Sequence, residues 1–291
     1  MPQQPDDAAA TFAPLRPRLT RIAYRMLGSV AEAEDIVQDA FLRWHDTDRE
    51  AVANAQAFLS KTVTRLCLDH LKSARVKRET YIGPWVPEPM IDPTANDEAD
   101  DITLTLMMAL ERLSPLERAA FLLHDVFDMP FADVAGMIDR TEAACRQLAT
   151  RARRAVKDAR PAPAAPPDGH AALLNAFGEA VASGDVTRLA GLLRADAIAL
   201  TDGGGRKSAA LNPIMGADKV ARFFIGLANK NAGRDINIRP AMINGTVGAL
   251  VYADGELDHS LSVAIDGDRI AAIYIVRNPD KLRHAPMSAQ H

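Results

Sequence analysis

The chain has 291 residues, of which 48% are hydrophobic and 25% are charged, and its formal net charge is −4. This length allows two or more domains with separate cores, and the composition is that of a soluble globular protein. No apolar run is long enough to span a membrane, and the acidic N-terminus lacks a signal-peptide pattern. The sequence therefore predicts a cytoplasmic protein without a membrane partner.

The two cysteines, Cys67 and Cys145, fall at apolar positions of predicted helices. Disulfide or metal chemistry would require further partners, so both are expected to be buried thiols. The sequence accordingly predicts no metal site and no cofactor.

The N-terminal block, about 12–79, is predicted to be helical, and its charges are segregated. Ser29 followed by Glu32 has the pattern of a capping box and predicts a helix start. Residues 32–50 carry seven acidic and two basic residues, whereas residues 61–79 carry two acidic and six basic residues. A basic stripe is often only a solvated helix face, but it also suits a polyanion such as nucleic acid.

The segment YIGPWVPEP (81–89) follows this block and combines two large aromatic residues with three prolines. Proline restricts its own φ and disfavours helix in the residue before it, so the segment is predicted to be extended and stiff. Tyr and Trp bring large apolar surfaces with a polar tip. We therefore expect the segment to dock on another part of the chain.

A second helical block is predicted over about 102–160. Ser114, Pro115 and Glu117 together mark a helix start. Two later helices joined by the turn DRT (139–141) predict a helix-turn-helix. Residues 141–160 carry six basic and two acidic residues, so the last helix presents a second basic stripe.

The Pro/Ala-rich stretch PAPAAPPDG (161–169) marks a domain boundary, because it offers no core-forming residues. Helices are predicted beyond it at about 169–183 and 185–194. Turn dipeptides then separate four apolar runs, which predicts an antiparallel meander of strands at 236–243, 246–253, 257–265 and 269–277. Helices followed by a curved sheet suggest an α+β cone that encloses a pocket.

The order of these parts resembles the extracytoplasmic-function (ECF) sigma factors of bacteria. AEDIVQDAFLRW (33–44) resembles the region 2 helix that binds RNA polymerase, and FLSKTVTRLCLDHLKSAR (58–75) resembles the adjoining −10 recognition helix. Residues 113–156 resemble region 4, which recognises the −35 element. YIGPWVPEP, DGGGRK (202–207) and NPDKL (278–282) resemble signatures of the subgroup with a C-terminal SnoaL-like domain.

The resemblance implies a multidomain fold. Two all-α sigma domains, a region 2 helical bundle and a region 4 helix-turn-helix, precede a C-terminal α+β cone of the NTF2-like (SnoaL-like) fold. The predicted boundaries are 8–80 for region 2, 81–101 for a linker with the YIGPWVPEP motif, 102–160 for region 4, 161–168 for the Pro/Ala linker and 169–285 for the SnoaL-like domain.

The resemblance also implies the partners, which are core RNA polymerase (its β′ clamp helices and β flap) and promoter DNA. The polymerase-binding candidates are Asp35, Gln38, Asp39 and Phe41, with Trp44 as an alternative apolar anchor. The −10 candidates are Arg65, Lys72, Arg75, Lys77 and Arg78, and the loop 45–54 is the candidate pocket for flipped bases. The −35 candidates are Arg146 and Gln147 for base edges, and Arg151, Arg153 and Arg154 for phosphates.

Two positions depart from the family pattern. Arg65 stands where many of these sigma factors have Asn, so base recognition is not carried over to it. Arg206 separates the glycines of DGGGRK from Lys207, which weakens the expected role of that lysine.

The proline-rich segment is expected to dock on the C-terminal domain and to regulate the sigma factor in cis, so that no anti-sigma factor is required. The alternative is that the segment simply packs on its own helical block. Glycines at the docking site would permit close backbone approach. The expected regulatory residues are Tyr81, Pro84, Trp85, Pro87, Glu88, Asp202, Gly203, Gly204, Gly205, Lys207, Asn278, Pro279, Asp280, Lys281 and Leu282.

Two other functions remain open at this stage. The cone could act as an enzyme or small-ligand sensor, with Asp202, Asp254, Asp258 or His259 as a general base, but no spacing singles out any of them. We therefore predict a protein that is not an enzyme and has no catalytic residue. A plain helix-turn-helix repressor would leave residues 33–75 unexplained.

Overall fold

The computed structural model describes residues 5–92, 103–159 and 167–286. Of these, residues 5–79 and 109–159 form one compact unit, and residues 80–92, 103–108 and 167–286 form a second. Within the described part of the chain, no helix is both long and apolar enough to cross a membrane.

The first unit begins with four helices: α1 (Pro5–Phe12), α2 (Arg16–Leu27), α3 (Val30–His45) and α4 (Ala55–Glu79). The Ser29 hydroxyl accepts a hydrogen bond from the Glu32 amide at 3.3 Å, which caps the start of α3. These helices bury their apolar faces against one another, with Ile22, Leu59 and Val63 fully enclosed.

The helical part continues with α5 (Leu104–Leu110), α6 (Pro115–Phe121), α7 (Phe131–Ile138) and α8 (Glu142–Ala159). A π turn, Leu122–Val126, follows α6 directly. Ser114 and Glu117 form the reciprocal capping box at the start of α6. Asp139 ends α7 in the left-handed conformation at φ 57°, and this turn leads α7 into α8 as a helix-turn-helix.

The second unit contains a seven-stranded sheet in the order β1-β4-β5-β6-β7-β2-β3. Four strands form the predicted antiparallel meander: β4 (Ile236–Ile243), β5 (Thr246–Ala253), β6 (Glu256–Asp266) and β7 (Arg269–Val276). The remaining strands are β1 (Ile91–Asp92), β2 (Leu193–Asp202) and β3 (Ile214–Met215).

The strand β2, which lies parallel to β7, has no counterpart among the predicted strands. The predicted helix at 185–194 is shorter than expected, because α10 (Val186–Gly191) gives way to β2 almost at once. The sheet is therefore mixed rather than a simple meander.

Three helices cover one face of this sheet: α9 (Pro167–Ser183), α10 and α11 (Ala217–Lys230). Their core includes Phe177, Leu189 and Phe224, packed against Ile273 and other inward residues of the strands. Of these three helices, α11 has no counterpart among the predicted helices. At the sheet edge β1 pairs antiparallel with β4, with Ile91 opposite Ile243, so the chain after YIGPWVPEP adds a strand to the C-terminal domain.

Candidate functional site

The polymerase-binding candidates lie on α3. Asp35, Gln38 and Asp39 are exposed along one face of the helix. Phe41 is half-buried, and its ring packs edge-on against Phe12 with the centroids 5.0 Å apart. Leu42, which the sequence analysis did not single out, is 54% exposed and follows Gln38 by one helical turn.

Trp44 does not share that exposed face. It is 2% exposed, and its indole N–H donates to the carbonyl of Ala8 at 3.2 Å. The exposed apolar side chain beside the acidic residues is therefore Leu42, and the alternative anchor Trp44 serves the core. Leu42 follows Asp39 by three residues and Gln38 by four, so the helical spacing places it on the same face. In the sequence alone, an exposed leucine cannot be told from a core leucine.

The −10 candidates lie along α4. Arg65 is exposed, but its Nε donates to the carbonyl of Met137 at 3.3 Å. Lys72 pairs with Asp69 at 2.8 Å. The side chains of Arg75, Lys77 and Arg78 lie outside the described part of the structure. The candidate loop 45–54 contains a short 3-10 turn, Arg49–Ala51, which the Asp48 carboxylate caps.

The −35 candidates lie on α8. Arg146 pairs with Glu142 at 2.8 Å, and its guanidinium lies 5.4 Å from the ring centroid of Phe131. Arg153 is tied to Asp125 at 2.6 Å. The other candidates on this helix, Gln147, Arg151 and Arg154, are exposed.

The helices of residues 5–79 and 109–159, which carry the −10 and −35 candidates, pack against each other inside the first unit. Arg118 on α6 is 3% exposed and donates from Nη1 to the carbonyl of Met26 on α2 at 2.7 Å. Its Nε donates to the carbonyl of Leu110 at 3.0 Å, and Nη1 also pairs with Glu111 at 2.8 Å. A buried guanidinium with several acceptors is expensive to expose, so Arg118 holds the blocks together. The sequence analysis did not identify it.

The segment before β1 is held in the second unit by the carboxylate of Asp202, which is fully buried at the end of β2. Oδ1 accepts the hydroxyl of Tyr81 at 2.6 Å, and Oδ2 accepts the amide of Val86 at 2.9 Å. The ammonium of Lys281 lies 2.8 Å from Oδ2. We call this arrangement of Tyr81, Val86, Asp202, Asn278 and Lys281 the clasp.

Asn278 completes the clasp beside a close backbone approach. Its Nδ2 donates to the Tyr81 hydroxyl at 3.0 Å. Gly204 has φ 58°, and a Cβ at that position would lie 2.2 Å from Asn278 Nδ2 and 3.0 Å from the Tyr81 hydroxyl. Glycine is therefore required here for two reasons, conformation and space. Burial and the hydrogen bond to Asp202 raise the pKa of Tyr81 well above its usual value.

Lys281 also contacts the aromatic rings of the segment. Its ammonium lies 4.1 Å from the ring centroid of Trp85 and 5.1 Å from that of Tyr81. The same nitrogen donates to the carbonyl of Val86. Lys281 therefore joins the segment to Asp202, through cation–π contacts with the two aromatic rings and an ion pair with the buried carboxylate.

The other end of the segment is attached at the sheet edge. Met90 and Asn244 exchange two hydrogen bonds, from Met90 N to Asn244 Oδ1 at 3.2 Å and from Asn244 N to Met90 O at 2.8 Å. Glu88 is 2% exposed, and its carboxylate lies 3.7 Å from His284 Nε2. Val86, Asn244 and His284 are absent from the predicted site, because a backbone amide carries no motif and the Asn244-Gly245 dipeptide predicts only a turn.

The remaining regulatory candidates lie around the clasp. A Cβ at Gly203 or Gly205 would meet Lys207 O at 2.1 Å or Ile82 Cδ1 at 2.8 Å, respectively. Asp280 pairs with Arg206 at 3.2 Å. The ammonium of Lys207 lies 3.4 Å from Asp258, so its described polar partner is not in the segment. Of the others, Pro84 and Trp85 are half-buried, Pro87 and Leu282 are buried, and Pro279 opens a 3-10 turn.

The candidate general bases are dispersed. Asp202 is enclosed by the clasp, and Asp254 is exposed and pairs with Arg234 at 2.8 Å. Asp258 accepts from His259 Nδ1 at 2.8 Å and from Arg277 Nη2 at 2.9 Å. Burial opposes ionisation of Asp258, but the hydrogen bonds from His259 and Arg277 hold its pKa well below the usual range. An ionised, fully paired carboxylate is poorly suited to accept a proton.

Both cysteines are buried and free of disulfides. Burial raises the pKa of the Cys67 thiol and that of the Cys145 thiol. Both are therefore inert core residues at neutral pH.

Comparison with known proteins gives the same order of parts. The family description Sigma-70 region 2 matches residues 11–76, and Sigma-70, region 4 matches residues 103–156. The chain is 38% identical to the ECF RNA polymerase sigma factor SigJ of Mycobacterium tuberculosis (strain ATCC 25618 / H37Rv), over 95% of this chain and 93% of that protein. The chain belongs to the ECF RNA polymerase sigma factors.

Two further comparisons extend over the whole molecule. This sigma factor is 31% identical to the probable ECF RNA polymerase sigma factor SigI of M. tuberculosis (strain CDC 1551 / Oshkosh), over 96% of each chain. The crystal structure of M. tuberculosis SigJ superposes with a TM-score of 0.78 at 35% identity, covering 96% of this chain and 100% of that chain. The predicted family and fold class, helical sigma domains followed by an α+β domain, are confirmed. The relatives are sigma factors rather than enzymes.

Proposed function

We propose that the C-terminal domain regulates this ECF sigma factor in cis by holding the chain that connects its two promoter-recognition blocks. The observation that supports this most strongly is Asp202, a fully buried carboxylate that binds Tyr81, Val86 and Lys281 at once. A buried charge with these partners is costly to expose, so the segment is held by a specific interaction rather than by loose packing.

The first unit supplies contacts to polymerase and DNA. The exposed face of α3, with Asp35, Asp39 and Leu42, would bind the basic clamp helices of β′, and region 4 would bind the β flap. The basic face of α4 would hold the opened −10 strand, and α8 would enter the major groove at the −35 element. Binding to core polymerase and to promoter DNA would require the protein to be in the cytoplasm.

The packing within the first unit supports a resting state that must open. By their numbering the −10 and −35 elements lie about 25 base pairs apart, which is about 85 Å at a rise of ~3.4 Å per base pair. In the packed unit Arg65 Nε lies 3.3 Å from Met137 O, so the two blocks cannot contact both elements together. Separation of α4 from α7 must therefore precede or accompany promoter binding.

The clasp would oppose this separation. Residues between α4 and α6 form the covalent connection, and the clasp together with β1 fixes the segment 81–92 within it. A fixed connection limits the separations that the two blocks can sample, which is a coupling free energy of typically about 1–3 kcal/mol. Release of the clasp should therefore raise transcription.

Run-off transcription from a template library tests the sigma-factor part of the proposal. The library is randomised across both promoter elements, and transcripts made by core polymerase with this protein are sequenced. A defined −10 and −35 preference is expected. Asp39→Lys should abolish the transcripts and the binding of core polymerase, while the exposed control Asp268→Lys should leave both unchanged. Transcripts with no promoter preference would overturn the proposal.

A further inference from the structure

The second unit contains a half-open cavity of about 460 Å³ beside α11. The basic part of its lining comprises Arg222 and Lys230 of α11, His259 of β6 and Arg277, which follows β7. The apolar part includes Phe223 and Leu227. A concave site with a few convergent polar groups on an apolar wall is the usual form of a small-molecule site.

The charged groups around the cavity are unevenly paired. Arg222 is bound by Asp218, and Arg277 by Asp258, each within 2.9 Å. For Lys230, no carboxylate lies within 4.0 Å among the residues that the structure describes. The Nε of Arg277 is buried, and within the described chain it has no hydrogen-bond acceptor. Arg277 Nη1 also donates to the carbonyl of Ser208, so the cationic group of the lining that is left for a ligand is mainly Lys230.

We propose that this cavity binds a small organic acid with an apolar body. The carboxylate would bind on the side of Lys230 and Arg277, where Lys230 has no carboxylate partner among the described residues. The apolar body would pack on Phe223 and Leu227. A neutral ligand of the same shape would lack this charge–charge attraction, so charge is the basis of selection.

The same residues connect the cavity to the clasp, a step that rests on the regulation proposed above. The amide nitrogens of Arg277 and Asn278 both donate to the carbonyl of Asp202, at 2.7 and 3.0 Å. Residues 208–210 line the cavity and also a second cavity of about 240 Å³, whose other wall includes Ile82 and Gly83 of the segment. A ligand that fills the first cavity would order Arg277 and the wall formed by residues 208–210. Because both contact the clasp or the segment, the ligand would stabilise the clasp.

Calorimetric titration of the full chain with cyclohexanecarboxylate, and with cyclohexanecarboxamide as the neutral match, tests the site. The acid is expected to bind at least about tenfold more tightly than the amide. Gly226→Phe is designed to fill the cavity: Gly226 lines it, and no atom lies within 4 Å of a Cβ at that position. The matched control is Gly178→Phe on α9, which has equal space and lies outside the lining.

Gly226→Phe should weaken binding of the acid at least about tenfold, and Gly178→Phe should leave it unchanged. Lys230→Gln, a change at an exposed side chain, should weaken the acid but not the amide. Equal affinities for acid and amide, or unchanged binding by Gly226→Phe, would overturn the site.

Hydrogen exchange at the Val86 amide tests the connection, since that amide is bonded to Asp202. Saturating cyclohexanecarboxylate should slow its exchange several-fold in the wild type and not in Gly226→Phe. Binding without slower exchange would overturn the connection. Transcription with Asp202→Asn tests the regulation separately. If that variant changes transcription while no acid binds, the ligand site is wrong and the regulation stands. If the acid binds while that variant leaves transcription unchanged, the ligand site stands and the regulation is wrong.

Discussion

The carboxylate of Asp202 lies 2.6 Å from the hydroxyl of Tyr81, although the two residues are 121 positions apart in the chain. Tyr81 immediately follows the helical block that carries the −10 candidates, and Asp202 ends β2 of the C-terminal domain. In the proposed regulation, this pair is the point at which the C-terminal domain acts on promoter recognition.

Replacement of Asp202 by asparagine should loosen the clasp without changing its shape. The variant loses the charge on the bonds to Tyr81, Val86 and Lys281, which should cost about 2 kcal/mol of opening free energy and speed exchange of the Val86 amide about thirtyfold. Exchange is measured by mass spectrometry on peptides covering 80–92. The control is Asp268→Asn, at a side chain that is 95% exposed. Equal exchange in the wild type and Asp202→Asn would contradict the assigned role of the carboxylate.

Gly204→Ala should open the clasp by steric conflict. The new methyl group would lie 2.2 Å from Asn278 Nδ2, and φ at that position is 58°. The matched control is Gly184→Ala, where φ is 70° and no atom lies within 4 Å of the Cβ. The control should lose about 1 kcal/mol of stability from backbone strain alone, and Gly204→Ala should lose clearly more. Thermal unfolding measures both, and equal losses would show that the contact with Asn278 is unimportant.

Arg118→Ala should destabilise the helical unit. The change leaves the carbonyls of Met26 and Leu110 without their buried donor and should cost about 3 kcal/mol. Arg112→Ala, at an exposed arginine nearby, should change stability by less than about 0.5 kcal/mol. Urea unfolding followed by far-UV circular dichroism measures the difference. Similar midpoints for the two variants would mean that Arg118 does not hold the blocks together.

The contribution of Asp258 to stability should disappear in acid. Although burial opposes its ionisation, its hydrogen bonds to His259 and Arg277 hold its folded-state pKa below that of the unfolded chain. Such a carboxyl group stabilises the fold above its unfolded pKa of about 3.9, and the contribution is lost as pH falls through the lower folded value. The difference in unfolding free energy between wild type and Asp258→Asn should shrink as pH falls below about 4. A difference that grows in acid would give the opposite sign and refute the assignment.

The arginines of α8 should divide into two classes in promoter binding. Arg146→Ala should relax preference at the −35 element, whereas Arg154→Ala should weaken binding to all sequences and reduce the salt dependence by about one unit of slope. Arg153→Ala should have a smaller effect, because Arg153 is tied to the partly buried Asp125 outside its own helix, whereas the partner of Arg146 is the exposed Glu142 on the same helix. Binding of the polymerase complex to promoter variants at several salt concentrations measures all three. Identical behaviour of Arg146→Ala and Arg154→Ala would show that the division is wrong.

Elements with strong local signals could be predicted from the sequence. The turns at Asn244-Gly245, Asp254-Gly255 and Asp266-Gly267 separate β4 to β7, because these dipeptides accept positive φ at low cost. The strand β2 was missed, since it begins two residues after α10 ends and no turn signal separates them.

The candidate site shows the same division between local and long-range information. Motifs could be named because their residues are contiguous and resemble family signatures. The buried role of Arg118 and the exposure of Leu42 could not, because both depend on which helices pack together. The amide of Val86 is a backbone group, and its partner is set by the tertiary fold alone.

Run-off transcription with core polymerase and Asp202→Asn tests the central claim most directly. The template is a promoter selected from the randomised library, and Asp268→Asn serves as the control. If the clasp restrains separation of the promoter-recognition blocks, Asp202→Asn should raise the transcript yield several-fold, while the control matches the wild type. A yield from Asp202→Asn that equals or falls below that of the wild type, with core polymerase binding unchanged, would contradict regulation by the clasp.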